Sequence, residues 1–181
     1  ILHVFITYIF LLKYYTNMPL KFFFKGIAPA QLLAFSTSSS GATLPITMEC
    51  CEDELGVSEE ISSFVLPLGA TINMDGTALY QAVAAVFISQ ALGMDLTIAD
   101  QLTIVFTTIL ASIGTAAVPA AGIIMLIIIL ESIGVPSAGV ALILGVDRIL
   151  DMARTVVNVT GDAAVAVSIA SNENQLKTYG K

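Results

Sequence analysis

The last long apolar stretch of the chain, Val140–Ala170, carries charged and amide side chains at helical spacing. These polar positions are Asp147, Asp151, Arg154, Asn158 and Asp162. Successive members are four, three, four and four residues apart, so at about 100° per residue they share one helical face within an arc of roughly 80°. Because charges inside an apolar helix are costly, such a face normally lines a bundle interior or a wet cavity. The pattern predicts a binding site, and the alternative is a network of salt bridges that joins helices.

The composition is typical of an integral membrane protein. Hydrophobic residues make up 56% of the 181 residues and charged residues 12%, with a mean hydropathy of +0.90, whereas a soluble domain is about 25% charged. We expect a multi-pass protein of the cell membrane, in contact with the lipid bilayer and not with nucleic acid. Ile1 falls inside an apolar helix, so we expect the chain to be a fragment whose missing N-terminal segments hold further spans.

The lysines orient the predicted segments. They are Lys13, Lys21 and Lys25 after the first apolar helix, and Lys177 and Lys181 at the far end. Residues 93–100 and 131–138 contain no Lys or Arg. The positive-inside rule therefore places residues 13–25 and the C-terminus in the cytoplasm, and the two lysine-free segments outside.

Two apolar stretches are interrupted at their centres by small and hydroxyl-bearing residues. Gly26–Met48 is broken at Ser36–Thr43, and a helix rising from Lys25 reaches this break too soon to cross about 30 Å of hydrocarbon. Gln101–Leu130 is too long for one span, about 45 Å as a straight helix, and is broken at Ser112–Pro119. Because broken backbone at membrane depth persists only beside a cavity or inside protein, both stretches are predicted to be re-entrant hairpins, entering from opposite faces.

A third stretch, Ile61–Leu92, is long enough to span, but Gly69 and the run Asn73–Gly76 break its centre. Discontinuous helices of this kind hold ions in transporters. The order hairpin, broken helix, hairpin, polar helix indicates inverted repeats, which are typical of secondary transporters.

The predicted fold is therefore an all-α membrane protein: an inverted-repeat transporter core with two re-entrant helical hairpins, one broken transmembrane helix and one polar-faced transmembrane helix. Its predicted segments are the end of a transmembrane helix (1–15), the first hairpin on the cytoplasmic side (18–53), the broken helix (58–92), the second hairpin as an extracellular gate (98–132), the last transmembrane helix (137–171) and a cytoplasmic tail (172–181).

Four motifs resemble the sodium-coupled glutamate/aspartate transporter family, the dicarboxylate/amino acid:cation symporters that include the excitatory amino acid transporters. The motifs are Ser38–Ser40, Asn73–Thr77, Ser112–Thr115 and the set Asp151, Arg154, Thr155, Asn158 and Asp162. They occur in the family's order and cover essentially the whole chain. The resemblance implies the C-terminal transport core of a secondary active symporter that carries an acidic amino acid with sodium. Such a core moves through the membrane past a scaffold, here the missing segments, within a homotrimer.

The substrate, L-aspartate or L-glutamate, has an α-amine and two carboxylates that need partners. Arg154 offers a planar fork that matches a carboxylate, and Asp151, one turn away, offers a counter-charge for the amine. Free N–H groups around Ser40 and Val118 can take the second carboxylate. The resemblance implies a substrate site made of Ser38, Ser40, Thr77, Val118, Gly122, Asp151, Arg154, Thr155 and Asn158. The alternative for Arg154 and Asp151 is an internal ion pair.

Sodium ions, the implied coupling ions, prefer hard oxygen ligands. The resemblance implies one site at Asp162, a second made only of backbone carbonyls, and a third at Asp75 completed by an earlier helix that the chain lacks. The implied ligands of the three sites are Gly69, Thr71, Asn73, Met74, Asp75, Ser112, Ile113, Thr115, Asn158 and Asp162.

The chain departs from the family pattern at three positions. Many prokaryotic relatives have an arginine where this chain has Ser38, and animal relatives have one where it has Met152. Arg148, one turn before Met152, is therefore expected to supply the missing charge beside Asp151 or the first hairpin. Animal relatives also have a glutamate linked to proton cotransport where this chain has Gln81, so we expect uptake without protons.

Two kinds of alternative function remain open. A symporter of the same family could carry dicarboxylates or neutral amino acids, although Asp151 argues against the former and Arg154 against the latter. A substrate-gated channel would show flux that does not saturate and no uphill accumulation.

Enzymatic chemistry is not predicted. The serine-rich breaks have no histidine base, and His3 has no partner in the sequence. Asp75 and Asp162 do not form an aspartyl protease dyad, which needs two carboxylates in one site. Cys50 and Cys51 are adjacent, a poor geometry for a mutual disulfide, and are predicted to be free thiols.

Overall fold

The computed structural model describes residues 2–177. Ile1 and residues 178–181 lie outside the described residues, and with them the outer ends of the predicted segments 1–15 and 172–181, including Lys181. The helices are α1 (Ile9–Tyr15), α2 (Leu20–Thr37), α3 (Ser40–Glu49), α4 (Glu59–Ile72), α5 (Asp75–Ala91), α6 (Ile98–Gly114), α7 (Ala121–Ser132) and α8 (Leu144–Asn172). Two π-helical turns, Val4–Tyr8 and Cys50–Glu54, and a 3-10 helix, Ser137–Leu142, complete the regular structure.

All regular elements between residues 2 and 177 are helical, which confirms the all-α prediction for the described part of the chain. No helix in that range combines the length and the apolar character needed to cross a membrane.

The first two long helices form a helical hairpin whose break is shorter than predicted. α2 packs against α3, and only Ser38 and Ser39 lie between them. Ser38 ends α2 with a left-handed backbone, φ 54°. Ser39 begins α3 because its hydroxyl accepts the N–H of Ala42 over 3.1 Å, a standard N-cap. The hydroxyl of Thr37 donates to Leu33 in its own helix, so a predicted break residue is accommodated inside α2.

The second hairpin, α6 and α7, also has a shorter break than predicted. α6 continues through Ser112 and Ile113 to Gly114, and the irregular backbone covers residues 115–120. The hydroxyl of Ser112 donates to the carbonyl of Ile109. This local bond lets Ser112 remain helical although it carries a hydroxyl. A break predicted from hydroxyl-bearing residues is therefore longer than the break in the structure.

The helix predicted to be broken is interrupted between α4 and α5. α4 ends at Ile72 and α5 begins at Asp75, so that only Asn73 and Met74 are outside a helix. Gly69 lies inside α4, and Gly76 lies in the first turn of α5. The break therefore exposes the C-terminal end of one helix and the N-terminal end of another at a single place.

α8 lies at the centre of the protein, in contact with α1, α2, α3, α4 and α5. Residues 2–177 form two apolar cores. One is formed by α1, α2 and the second half of α8, from Val159 onward, and the other by α5, α6 and α7 with Ile143. Ile143, which belongs to the second core, directly precedes α8, and the second half of α8 belongs to the first core. The polar residues of α8 start between these two parts and continue into the first core, so they lie where the two cores meet.

The base of the first hairpin is held by the segment that follows α8. Val57 pairs with Leu176 in an isolated antiparallel β-bridge, and the N–H of Lys177 donates to the carbonyl of Gly56 over 2.9 Å. Nearby, Cys50 and Cys51 are buried and unpaired, which confirms the prediction of free thiols.

Candidate functional site

The polar face of α8 is turned into the protein. Its members Asp147, Asp151, Arg154, Asn158 and Asp162 are each between 2% and 8% exposed, as the helical spacing predicts. Arg148, in contrast, is exposed. Among the described residues, the ion-pair partner of Asp151 is Arg154. The expectation that Arg148 supplies charge to Asp151 is therefore wrong: Arg154 lies equally near along the helix and is the buried one of the two.

The pair formed by Arg154 and Asp151 is one-sided. Nε of Arg154 donates to Oδ1 of Asp151 over 2.9 Å, and Nη2 lies 2.8 Å from the same oxygen. The other oxygen of Asp151, Oδ2, accepts the backbone N–H of Ala120 in the second hairpin over 3.0 Å. Nη1 of Arg154 is buried without a hydrogen-bond partner in the described structure. In this conformation the alternative of an internal ion pair is realised, and one donor of the arginine remains unsatisfied.

The far side of the guanidinium packs on Tyr80. The carbon at the centre of the guanidinium lies 5.4 Å from the centre of the Tyr80 ring, within the range of a cation–π interaction. The hydroxyl of Tyr80 donates to Asp147. Tyr80 is thus a second partner of the guanidinium, and Asp147 orients the Tyr80 hydroxyl.

Gly122 leaves space for Arg154. A Cβ built on Gly122 would overlap the guanidinium, so the absent side chain is what allows α7 to approach α8 at this point. The carbonyl of Gly122 accepts the side-chain amide of Gln81 over 3.3 Å, and the amide oxygen of the buried Gln81 has no partner in the described structure.

A narrow cavity lies where the two hairpins meet the break of α4 and α5. Its volume is about 10 Å³, enough for about one water molecule. Its lining residues are Ser38, Ser40, Met74, Thr77, Thr115, Ala116, Ala117, Val118, Arg154, Thr155 and Asn158. The cavity thus brings together seven residues of the implied substrate site, while Asp151 and Gly122 lie next to it, against Arg154.

Three side-chain atoms around this cavity are buried without hydrogen-bond partners in the described structure. They are Oγ of Ser38, Oδ1 of Asn158 and Nη1 of Arg154. Asn158 donates with its amide nitrogen to the hydroxyl of Thr77 over 3.0 Å. Since buried polar groups are normally satisfied, one hydroxyl, one acceptor and one cationic donor around the same space indicate a ligand site.

The sequence suggested a free backbone N–H at Val118, but in the structure this group is hydrogen-bonded. It donates to the carbonyl of Ala116 over 2.8 Å, because the chain turns tightly between Thr115 and Ala120. A carboxylate bound at this N–H therefore requires the turn to open.

The two hairpins touch through one carbonyl. The oxygen of Ala117 accepts the hydroxyl of Ser39 over 2.7 Å and the N–H of Gly41 over 3.1 Å. We call this set of three residues the tip contact. The serine run of the first hairpin predicted a polar break. The sequence could not indicate that its partner is the backbone carbonyl of Ala117, because every residue has such a carbonyl.

Asp162 lies beside the end of α4. Its Oδ1 accepts the amide of Asn73 over 2.9 Å, and a Cβ on Gly69 would come within 2.6 Å of the same oxygen. Gly69, Asn73 and Asp162 therefore form one group, as implied for the first sodium site. Asn158 lies one turn earlier on α8.

The residues implied for the carbonyl-only sodium site are less closely grouped. Thr115 is buried and lines the cavity, as does Met74, an implied ligand that belongs to no particular site. Ser112 lies one turn before Thr115, whereas Ile113 and Thr71 are exposed. The hydroxyls of Thr71 and Thr115 donate to carbonyls of the preceding helical turn.

Asp75 has partners that the sequence did not indicate. Nε2 of His3 lies 2.5 Å from its Oδ2, and the hydroxyl of Tyr8 donates to the same oxygen. His3, for which no partner is apparent in the sequence, is therefore in contact with an implied sodium ligand. The two contacts join residues 72 and 67 positions apart, which no local pattern can predict.

Comparison with known proteins shows the family to which the chain is similar. The model of the sodium:dicarboxylate symporter family matches residues 1–172. The chain is 55% identical over 138 residues to excitatory amino acid transporter 3 of Mus musculus, covering 76% of this chain and 26% of that protein. It is 54% identical over 141 residues to excitatory amino acid transporter 3 of Homo sapiens, covering 78% and 27%. It is 51% identical over 163 residues to the putative sodium-dependent excitatory amino acid transporter glt-4 of Caenorhabditis elegans, covering 90% and 32%.

The chain spans about a quarter to a third of the length of these curated relatives. The match nevertheless includes every element from α1 to α8. The chain belongs to the sodium:dicarboxylate symporter family.

Proposed function

We propose that this chain is the transport core of a sodium-coupled symporter for an acidic amino acid, L-aspartate or L-glutamate. The observation that carries the proposal is the half-satisfied Arg154, whose Nη1 lies around the same narrow cavity as unpaired atoms of Asn158 and Ser38. A buried cation beside a buried acid matches the opposite charges of an amino acid. The relatives' names, sodium-dependent and excitatory amino acid transporters, support the same substrate class.

Binding begins with the separation of Arg154 from Asp151. The ammonium group of the substrate replaces the guanidinium at Asp151, and the freed guanidinium turns its fork to the side-chain carboxylate. Arg154, Asp151, the ammonium group and the side-chain carboxylate each keep a counter-charge through this exchange, which limits the desolvation cost. Ser38, Ser40, Thr77, Val118, Thr155 and Asn158 then surround the amino acid, and Gly122 gives the guanidinium space to turn.

The second hairpin serves as the gate in this proposal. A cavity of about 10 Å³ does not hold an amino acid, so the hairpins have to separate for the substrate to enter. Two links hold the second hairpin down, the tip contact and the bond from Ala120 to Asp151. The second link ends on the acid that receives the ammonium group, so substrate binding and gate position are coupled.

Sodium drives the transport through oxygen ligands at the break. Asp162 with Gly69, Asn73 and Asn158 forms one proposed site, and carbonyls from Thr71, Ser112, Ile113 and Thr115 form another. Met74 is a further proposed ligand at the break. Asp75 and Asn73 belong to the third. Gln81 cannot carry a proton, so transport proceeds without proton cotransport. By analogy with the family, we also propose a multi-pass protein of the cell membrane, with the segment boundaries given above, in which the core moves as an elevator within a homotrimer.

Uptake into vesicles tests the proposal. The full-length protein that contains this chain is reconstituted, and labelled aspartate, glutamate, serine and succinate are supplied with an inward sodium gradient or with choline. We expect saturable, uphill uptake of aspartate or glutamate that needs sodium and leaves the luminal pH unchanged. Flux without saturation or accumulation would indicate a channel, and uptake of succinate instead of aspartate would indicate a dicarboxylate symporter.

A further inference from the structure

Both oxygens of the Asp75 carboxylate have partners, one within α5 and the other in the segment that leads into α1. Oδ1 accepts the N–H of Gly76 over 2.9 Å. Oδ2 accepts the hydroxyl of Tyr8 and lies 2.5 Å from Nε2 of His3. The side chain of Asp75 is 28% exposed, so it is neither buried in the core nor free in solvent. One of its two oxygens is thus committed to the segment that leads into α1.

Tyr8 is the more firmly held of these two partners. Its side chain is buried, with 3% of the residue exposed, and its hydroxyl also lies 3.3 Å from the carbonyl of Val157 on α8. A Cβ on Gly161 would overlap the Tyr8 ring. The missing side chain at position 161 therefore lets the ring lie flat against α8 and reach Asp75.

The consequence is a rigid bridge between three segments. Tyr8 connects the turn before α1, the backbone of α8 at Val157 and the first residue of α5. Asn73, two residues before Asp75, makes the corresponding link from the break to Asp162 on α8. Asp75 and Asp162 are therefore each oriented by an uncharged hydrogen-bond donor from another segment. A tyrosine hydroxyl has one proton to donate, and its bond to Oδ2 uses one lone pair of the Asp75 carboxylate and orients the group.

We propose that Tyr8 is a positioning residue for Asp75, and that through this carboxylate it sets the affinity and the sodium-over-lithium selectivity of the cation site at the break. The inference rests on the proposed sodium coupling. Selectivity between hard cations depends on cavity size, ligand number and ligand flexibility. A carboxylate held at a fixed distance from α8 suits one ionic radius, whereas a mobile carboxylate closes equally well around a smaller ion.

The test uses Tyr8→Phe in the full-length protein, with aspartate binding measured against sodium and against lithium concentration. The substitution removes the hydroxyl and keeps the buried ring. Tyr15→Phe is the matched control, because Tyr15 lies at the end of α1 with its side chain exposed. We expect the half-saturating sodium concentration to rise roughly tenfold in Tyr8→Phe, the scale of a lost hydrogen bond to a charged group. We expect the lithium value to change much less, so that selectivity falls, while Tyr15→Phe behaves as the parent.

Gly161→Ala provides a second, independent variant. The added methyl group displaces the Tyr8 ring from Asp75 without removing the hydroxyl, so the same loss of selectivity is expected. Unchanged sodium and lithium curves in Tyr8→Phe would overturn the inference. So would an equal weakening for both ions that accompanies a lower melting temperature in sodium-free buffer, since that result assigns Tyr8 a purely structural role. If the parent protein binds aspartate without any sodium dependence, the proposed function fails instead.

Discussion

Two nitrogens of Arg154 share a single oxygen of Asp151, with Nε and Nη2 lying 2.9 Å and 2.8 Å from Oδ1. An arginine fork normally meets two oxygens in parallel, so this pair uses the fork poorly and leaves Nη1 unpaired. A ligand carboxylate offers the second oxygen that Asp151, whose Oδ2 is bonded to Ala120, does not offer.

The first prediction concerns substrate selectivity at Arg154. Arg154→Cys leaves the side-chain carboxylate of aspartate desolvated and unpaired, and aspartate binding should weaken by roughly 2–5 kcal/mol. Serine lacks that carboxylate and should lose little. The measurement is competition binding of aspartate and serine at fixed sodium. Arg148→Cys is the control, because Arg148 is exposed on the same helix and its loss should change neither affinity. Equal losses for both substrates in Arg154→Cys would mean that the arginine holds the structure.

The second prediction uses the space at Gly122. In Gly122→Ala the new methyl group overlaps the guanidinium of Arg154, and overpacking of this kind costs roughly 1–3 kcal/mol. Because the displaced atom is the proposed carboxylate ligand, aspartate affinity should fall more than serine affinity. Gly114→Ala is the matched control in the same hairpin, since a Cβ there meets nothing within 4 Å. Aspartate affinity and melting temperature are measured for both. A Gly122→Ala protein with the parent's affinity would remove Gly122 from the site.

The third prediction concerns sodium at Asp162. Asp162→Asn keeps the shape of the side chain and removes its charge, so a cation at this place loses its one formal counter-charge. The half-saturating sodium concentration for aspartate binding should rise about tenfold or more, on the scale of a charged hydrogen-bond partner. Asp95→Asn, at an exposed position between α5 and α6, should leave it unchanged. The assignment is wrong if the sodium dependence of Asp162→Asn matches that of the parent.

Hairpin opening is the subject of the fourth prediction. Ser39→Gly removes the hydroxyl that donates to Ala117, while glycine at an N-cap costs only a few tenths of a kcal/mol relative to serine. The variant therefore isolates the tip contact from helix capping. We expect aspartate to dissociate about two to ten times faster, as for one neutral hydrogen bond. Ser36→Ala removes an exposed hydroxyl that donates only within α2 and should dissociate as the parent does. A parental dissociation rate in Ser39→Gly would show that the tip contact does not restrain the gate.

Periodicity predicted the buried face of α8 correctly. Charged side chains at helical spacing share one face, and in an apolar helix that face has to be turned into the protein. Periodicity did not predict which groups on that face meet. Arg148 and Arg154 lie equally far from Asp151 in sequence, and only the packing of the second hairpin against Arg154 decides between them.

Contacts between distant segments could not be predicted from the sequence either, because they also depend on how the helices pack. The partners of Asp75 come from His3 and Tyr8, about seventy residues earlier, and the first helix carries no pattern that points to α5. The breaks were located correctly by their small residues but overestimated in length, because Ser112 and Thr37 satisfy their hydroxyls on the preceding helical turn.

The tip contact has a consequence for mutational tolerance. Its acceptor is the backbone oxygen of residue 117, which every amino acid supplies, so substitutions at Ala117 can accumulate without removing the link. One donor is also backbone, the N–H of Gly41, but a Cβ at that position would come within 3.0 Å of the Ala117 oxygen. The acceptor side of the tip contact therefore does not depend on the residue type, whereas the donor side depends on the residue without a side chain at position 41 and on the hydroxyl of Ser39.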